Sequence, residues 1–364
     1  MTKQQVLFID EPDFDAQVYQ NFAAKYDCIH YKLSSRQQLI EDLNGEYKNI
    51  EAIYGGWPGL SPIGGCDQDL ISQLPKNLKI ITLSSIGYNG YDLQSLAARN
   101  IVLTNAPSEI ASNAVADLVL YNTLSSFRNF QIVSHHFKGK FNNSNQIRSG
   151  LKYGQFDQTS GQALLSTTFK PSFGDFSCGR PNLSPSGSNA VIVGFGSIGQ
   201  IIGQRLSSIG MNIHYVKRTK LSEQECNKLS YNATYHQSLQ DTVEFADLII
   251  IACPGGASTK HLINSKIIND MHKPFRVINI GRGTSIDEPA LVEGLKSGKI
   301  IFAGLDVFEE EPHVHPELLN RHDVVLTPHI GSGTWENFQY TMKIALSNID
   351  TVLQDTGATI TRVN

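Results

Sequence analysis

The stretch VIVGFGSIGQIIGQRLSSIG, residues 191–210, constrains this chain more than any other. An apolar run ends at Gly194-x-Gly196-x-x-Gly199, and a helical pattern begins at once. Each glycine has a separate reason. The first permits a tight turn, the second lets backbone approach a diphosphate, and the third lets helix and strand pack closely. Ser197 and Ile198 fill the head of the helix, where unpaired N–H groups meet an anion. With strand and helix both visible, the stretch predicts a dinucleotide site.

Such a site on a parallel sheet ordinarily uses an acidic residue, about 20 positions further on, to hold the ribose hydroxyl of NAD. Here that window reads MNIHYVKRTKLS and contains no Asp or Glu. It offers Lys217, Arg218, Thr219 and Lys220. A carboxylate there would repel a 2′-phosphate, whereas a guanidinium and a hydroxyl bind one. The expectation is NADP(H) in preference, with NAD(H) possible.

The surrounding pattern is that of an α/β protein. VLFID, AIYGGW, IITLSSIG and IVLTNAP are strand candidates in the first third. AVIVGF, NIHYVKR, LIIIACP, RVINIGRG, IFAGLDV and VVLTPHI follow in the second half. Helical patterns fill most gaps, which implies parallel sheets with crossover helices. SNAVADLVLYNTLSSFRNFQIV predicts one helix of about six turns, and GTWENFQYTMKIALSNIDTVLQ another. Residues 136–188, rich in Ser, Gly, Asn and Phe, keep no period of either kind. They are expected to be an irregular surface connection, or else a loop covering a site or a partner subunit.

Composition excludes several classes. With 364 residues and 40% apolar side chains, the chain can build about two domains. A net charge of −4 argues against a nucleic-acid binder. Cys28, Cys66, Cys178, Cys226 and Cys253 are scattered and form no CxxC, as expected of free thiols in a reducing compartment. No secretory segment is visible, and the run LIIIAC is too short to cross a bilayer. A cytoplasmic protein without membrane partners is expected.

Three downstream stretches carry candidate chemistry: NIGRGTSID with Arg282, GLDVFEEEP with Glu311, and LTPHIGSGT with His329. Each lies at or just past the C-terminal end of an apolar strand, the edge where open α/β sheets bind ligands. Reduction of a 2-oxo acid needs a hydride on the carbonyl carbon and a proton on its oxygen. An imidazole can give that proton, a carboxylate can orient the imidazole, and a guanidinium can bind the substrate and polarise its carbonyl.

Taken together, these motifs resemble the D-isomer-specific 2-hydroxyacid dehydrogenase family. VIVGFGSIG, NIGRGTSIDEPAL, GLDVFEEEP and VVLTPHIGSGT stand in the family's order, as do SSIGYNGYDL and SNAVADLVL in the first half. The resemblance implies two Rossmann-like doubly wound parallel-sheet domains with the active site in the cleft between them. One is a discontinuous substrate-binding domain, residues 1–111 and 333–364. The other is a dinucleotide-binding domain, 112–332, whose long helix near 112–130 supports a homodimer in the family. Carried over by position, His329 is the acid–base, Glu311 its carboxylate partner and Arg282 the substrate cation. Asp306 binds the nicotinamide carboxamide. Cys253, Pro254, Thr259, Ile280 and Gly331 line the cofactor. Ile86 and Gly87, with Ser85 adjacent, grip the substrate carboxylate through backbone amides. Glu309 and Glu310, beside Glu311, are expected to be solvated or structural. Glu at 311, where formate-oxidising members carry Gln, favours 2-oxo acids.

The chain departs from the family at Asp117, where Glu is common, at Cys253-Pro254-Gly255-Gly256, and in the long 136–188 connection. Lys217–Thr219 resembles the NADP-using glyoxylate and hydroxypyruvate reductase branch. The expected function is reduction of small 2-oxo acids such as glyoxylate or hydroxypyruvate to D-2-hydroxy acids. Gly55, Gly56 and Trp57 occupy a strand-end loop that could shape substrate choice. The alternative is a cofactor-sensing interaction protein like the family's co-repressor relatives. No metal is expected, because His313, His315 and Asp323 lie in a Pro-interrupted stretch without a metal-ligand spacing.

Overall fold

The computed structural model describes residues 3–137, 143–356 and 360–364. By contact density the chain divides into two compact units, residues 1–110 with 333–364, and residues 111–332.

In the first unit, strands and helices alternate: β1 (Gln5–Phe8), α1 (Gln17–Lys25), β2 (Asp27–His30), α2 (Arg36–Asn44), β3 (Ala52–Tyr54), α3 (Gln68–Gln73), β4 (Ile80–Thr82), α4 (Leu93–Ala98) and β5 (Val102–Thr104). All five strands pair in parallel, in the order β2-β1-β3-β4-β5. The order reverses at β1 and β3, which makes their carboxyl ends a topological switch point. Val6, Phe8, Tyr54 and Ile80 on one face pack on a helix from the chain's end, through its Met342, Ala345 and Ile349. The other face, with Leu7, Ile53 and Ile81, packs against Leu39, Leu70 and Leu96. β2, sequence DCIH, has no buried residue, which is why its apolar content did not mark it as a strand.

The second unit continues with α5 (Glu109–Arg128), α6 (Phe130–Phe137), α7 (Ser144–Tyr153), two short hairpins made of β6 (Gln155–Asp157) with β7 (Gln162–Leu164) and β8 (Phe176–Ser177) with β9 (Arg180–Pro181), β10 (Asn189–Val193), α8 (Ser197–Ser208), β11 (Asn212–Val216), α9 (Glu223–Cys226), β12 (Ala233–His236), β13 (Leu248–Ile251), α10 (Ser265–Asp270), β14 (Phe275–Asn279), α11 (Glu288–Lys296), β15 (Ile300–Leu305) and β16 (Val324–Leu326). The remaining helix, α12 (Trp335–Leu353), belongs to the first unit. The seven-stranded parallel sheet runs β12-β11-β10-β13-β14-β15-β16 and reverses at β10. Ala190, Ile192 and Ile250 face one core, and Val191, Val193 and Ile251 face the other. A sheet covered on both faces explains these continuous apolar strands.

Two expectations are corrected. The predicted single helix over 112–133 is two, because Asn129 takes a left-handed conformation (φ 51°) between α5 and α6. Residues 136–188 are not an irregular connection throughout. They hold α7, both hairpins and a small core in which Ile147, Leu151, Ala163 and Cys178 pack with Ile132 of α6. Strands of two or three residues leave no period to detect. Residues 138–142 of this stretch lie outside the described residues.

Buried charge fastens the insertion to the sheet edge. Asp323, fully buried, accepts from Arg321 at 2.9 Å and from Arg180 at 3.1 Å. Arg180 also donates to Ile301 O (2.8 Å), and Arg321 to the carbonyls of Thr159 and Gln158. Among the described residues no helix is long and apolar enough to cross a membrane.

Removing the shared acceptor leaves two guanidiniums without their counter-charge in a dry setting. Asp323→Asn is expected to destabilise the protein by about 3 kcal/mol, read from the midpoint of urea unfolding. An unchanged midpoint would contradict the role given to this network.

Candidate active site

The Gly-rich turn follows β10 directly. Gly194 has φ 96°, and its N–H donates to Val216 O at 2.9 Å. A Cβ on Gly194 would lie 2.6 Å from Cys253 N, and one on Gly199 would lie 2.3 Å from Gly194 O. Both glycines are therefore required by packing. Gly196 differs: a Cβ there would meet nothing within 4 Å, so its approach is open. α8 begins at this point with no side-chain cap and no acidic residue in its first turn. The amides of Ser197 and Ile198 meet no acceptor among the described residues. An uncapped N-terminus behind an open glycine at a switch point fits a diphosphate.

Lys217, Arg218 and Thr219 leave the end of β11. The Arg218 side chain is exposed and has no ion pair or hydrogen bond among the described residues. Lys217 is closer to compensation. The Glu225 carboxyl is held low first by the Ser222 N–H and hydroxyl, and Lys217 lowers it further. Cys253 is buried where the turn after β13 crosses Gly194, and burial pushes its thiol up. The Thr259 hydroxyl donates to Pro254 O at 2.9 Å and so closes the loop over Gly255 and Gly256. The Ile280 amide donates to Ile251 O at 3.1 Å, extending the β13–β14 pairing past the strand end.

Asp306 stands at the end of β15, 4% exposed. Its Oδ1 accepts from the Thr327 hydroxyl (2.7 Å) and the Ile330 N–H (2.9 Å), and its Oδ2 from the Gly331 N–H (2.8 Å). This carboxylate thus holds the loop that carries His329. A Cβ on Gly331 would come within 2.8 Å of Asp306 Oδ2, so glycine keeps the clamp closed. Between the clamped residues His329 adopts a left-handed backbone (φ 55°), uncommon for a residue other than glycine.

Glu311 completes the arrangement. Its Oε1 accepts from the Phe308 N–H (3.1 Å), and its Oε2 lies 3.2 Å from His329 Nδ1. Burial raises its pKa, but the His329 contact, the Phe308 N–H and the charges of His329 and Arg282 outweigh it, and the net shift is downward. An ionised carboxylate can only accept. Nδ1 therefore carries its hydrogen, which fixes the tautomer of the ring. Arg282, after β14, donates to Gly281 O at 2.7 Å, while Asn279 bonds both the Gly281 N–H and Arg282 O. The Arg282 stem passes close enough to Gly255 that a Cβ there would lie 2.9 Å from its Cγ. The structure therefore brings Arg282, Glu311 and His329 into one electrostatic group.

A second cluster escaped sequence reasoning. Glu309 contacts His261 Nε2 at 2.5 Å and accepts from the Glu288 N–H, while its own N–H donates to Glu288 Oε1. Burial raises the Glu288 pKa. These exchanges tie the loop before Glu311 to the loop after Arg282. The partners are far apart in sequence, so no spacing announced them. Glu309 is structural and Glu310 exposed. Asp117, the departure from the family pattern, pairs with Arg205 of α8 at 2.6 Å. Among the described residues no group of three or more His, Cys, Asp or Glu side chains is placed to hold a metal.

In the first unit, Ser85, Ile86 and Gly87 follow β4. Every carbonyl in the turn is occupied: Ser85 O by the Ala106 N–H, Ile86 O by Asn105 Nδ2, and Gly87 O by the Ser85 hydroxyl. The three amides, in contrast, meet no acceptor among the described residues. Successive unpaired N–H groups make a concavity for an anion.

The lowered Glu311 pKa has a sign. A carboxyl depressed on folding adds stability above its ordinary pKa, and that stability is lost as pH falls through the depressed value. The stability difference between wild type and Glu311→Gln should therefore be full near pH 6 and shrink towards about pH 3. A difference independent of pH in denaturant titrations would contradict the contact.

A family model described as D-isomer specific 2-hydroxyacid dehydrogenase, NAD binding domain, matches residues 174–331. Hydroxyphenylpyruvate reductase of Plectranthus scutellarioides is 32% identical over 91% of this chain and 90% of its own. A glyoxylate/hydroxypyruvate reductase of Arabidopsis thaliana is 31% identical over 90% of this chain and 89% of its own. Among solved structures, a glyoxylate reductase from Paecilomyes thermophila superposes with a TM-score of 0.79, at 27% identity, over 100% of this chain and 99% of that one. With both Rossmann-like units and these matches along nearly its whole length, the chain belongs to the D-isomer-specific 2-hydroxyacid dehydrogenase family, oxidoreductases that use a nicotinamide cofactor.

Proposed function

We propose that the protein is an NADPH-preferring reductase of 2-oxo acids that forms D-2-hydroxy acids. The observation that carries this reading is the Glu311–His329 contact, held by the Asp306-clamped loop, with the Arg282 charge felt at Glu311. The names of the relatives range from glyoxylate to hydroxyphenylpyruvate reductases, which supports the substrate class and leaves its side chain open.

The roles follow from the groups present. The Ser197 and Ile198 amides hold the cofactor diphosphate, and Arg218, Lys217 and Thr219 hold the 2′-phosphate. When bound, the reduced nicotinamide supplies a hydride to the carbonyl carbon. His329 gives its Nε2 proton to the carbonyl oxygen. Glu311 keeps Nδ1–H throughout, stabilising the imidazolium and fixing its tautomer. Arg282 binds the substrate carboxylate and polarises the carbonyl. The Ile86 and Gly87 amides receive carboxylate oxygens. Asp306 serves first to position His329, and one acceptor site on Oδ2 is left for the nicotinamide carboxamide. A homodimer and a cytoplasmic location belong to the same reading. Exposed Tyr121, Phe130 and Phe137 on α5 and α6 support the dimer.

Steady oxidation of NADPH with a panel of 2-oxo acids tests the proposal. NADPH binding without turnover of any of them would contradict it and favour a cofactor-sensing interaction protein. For the cofactor preference, Lys217→Ala combined with Arg218→Ala is expected to weaken NADPH at least about tenfold, as loss of a charge-assisted contact implies, and NADH much less. Equal losses, read by titration of each cofactor, would overturn the 2′-phosphate assignment.

A further inference from the structure

We infer that the preferred substrate is a 2-oxo acid with a bulky apolar side chain, branched aliphatic or aromatic, seated on Trp57, Ile86 and Tyr88. The inference rests on the reading above, in which the Ile86 and Gly87 amides hold the substrate carboxylate.

The argument begins at the switch point of the first sheet. β1 and β3 end there, and the loops leaving them are locked together. Asp10 accepts from the Trp57 N–H at 3.1 Å. Gly56, with φ 65°, lets Asp10 approach so closely that a Cβ there would lie 2.1 Å from the aspartate Cβ. The Gly55 N–H donates to Thr82 O, the Ser84 N–H to Gly56 O (2.8 Å), and the Leu60 N–H to the Tyr91 hydroxyl. Trp57 therefore leaves a rigid turn, one residue beyond the carbonyl that pairs with Ser84, beside the Ser85–Gly87 amides.

Three large apolar side chains crowd this small region and remain accessible: Trp57 at 48%, Ile86 at 42% and Tyr88 at 39%. Ile86 carries one of the amides that would hold the carboxylate, Tyr88 follows Gly87 directly, and Trp57 is the residue after Gly56, whose carbonyl pairs with Ser84. With the carboxylate fixed there, carbon 3 and the atoms beyond it reach the same surface. Glyoxylate has no such atoms and would leave the three side chains in water. A second carboxylate on the substrate would meet Asp10, whose two oxygens already accept from the Glu11 and Trp57 amides and which offers only negative charge. Branched and aromatic side chains gain from apolar burial and ring contact, and dicarboxylates lose.

The test is kcat/KM with NADPH for phenylpyruvate, 4-methyl-2-oxopentanoate, glyoxylate and 2-oxoglutarate. Each methylene in an apolar pocket is worth roughly 10–200-fold, so both bulky acids should exceed glyoxylate by at least about a hundredfold. Trp57→Ala should cut the ratio of phenylpyruvate to glyoxylate at least about tenfold, mainly through KM, and Trp57→Phe should retain most of it. NADPH titration of each variant confirms that the fold is intact. Glyoxylate or 2-oxoglutarate turned over as well as the bulky acids would overturn the inference while leaving the reductase reading in place. An unchanged ratio in Trp57→Ala would overturn the seat assigned to Trp57. No turnover of any acid with either cofactor would remove the reductase reading, and this inference with it.

Discussion

A buried carboxylate organises the second unit. Asp306 would be costly where it stands without partners, since an ionised group removed from water must be hydrogen-bonded to persist. It gathers three donors, Thr327 Oγ1, Ile330 N and Gly331 N, all from the loop that carries His329. Satisfying the charge and placing the imidazole are therefore one event. The left-handed backbone of His329 is tolerated because the residues after it are fixed from below. Glu311, reached from the same strand end, then decides which ring nitrogen carries hydrogen.

The remaining parts depend on how strands end. β10, β13 and β15 are apolar on both faces but for Asn189, β14 adds only Arg276 and Asn279 to an apolar run, and the polar residues of the site lie in the turns at their carboxyl ends. That confinement puts the Gly-rich turn, Arg282 and Asp306 on one edge of a single sheet. The first unit repeats the device on a smaller scale: its switch point holds Asp10 and Trp57, and the next strand end holds the amides of Ser85–Gly87. Function follows from rigid strand ends carrying short loops whose carbonyls are already satisfied, so that amides and side chains are what remain for a ligand.

Much of this was legible in the residues. Gly194, Gly196 and Gly199 announced the dinucleotide turn because backbone geometry admits nothing larger at two of them. Arg282, Glu311 and His329 could be named because each follows an apolar run, the strongest local signal in a doubly wound sheet. What stayed hidden was either short or long-range. β2 and β12 are edge strands with few buried residues. Asn129 breaks a helix without any loss of apolar period around it. The hairpins of 155–181 owe their order to Arg180, Arg321 and Asp323, a charge network assembled from distant positions. Asp306 reads from the sequence as a cofactor residue, and its other task, clamping the loop that carries His329, is silent there. Only the fold reveals that Thr327, Ile330 and Gly331 converge on it.

The most direct test asks whether His329 is a proton donor or a packed ring. His329→Ala should lower kcat for 2-oxo acid reduction by about 10²–10⁴-fold, with the NADPH dissociation constant within about threefold of wild type. Turnover that survives the substitution would contradict the account, because the clamp of Asp306 and the orientation by Glu311 would then serve no chemistry.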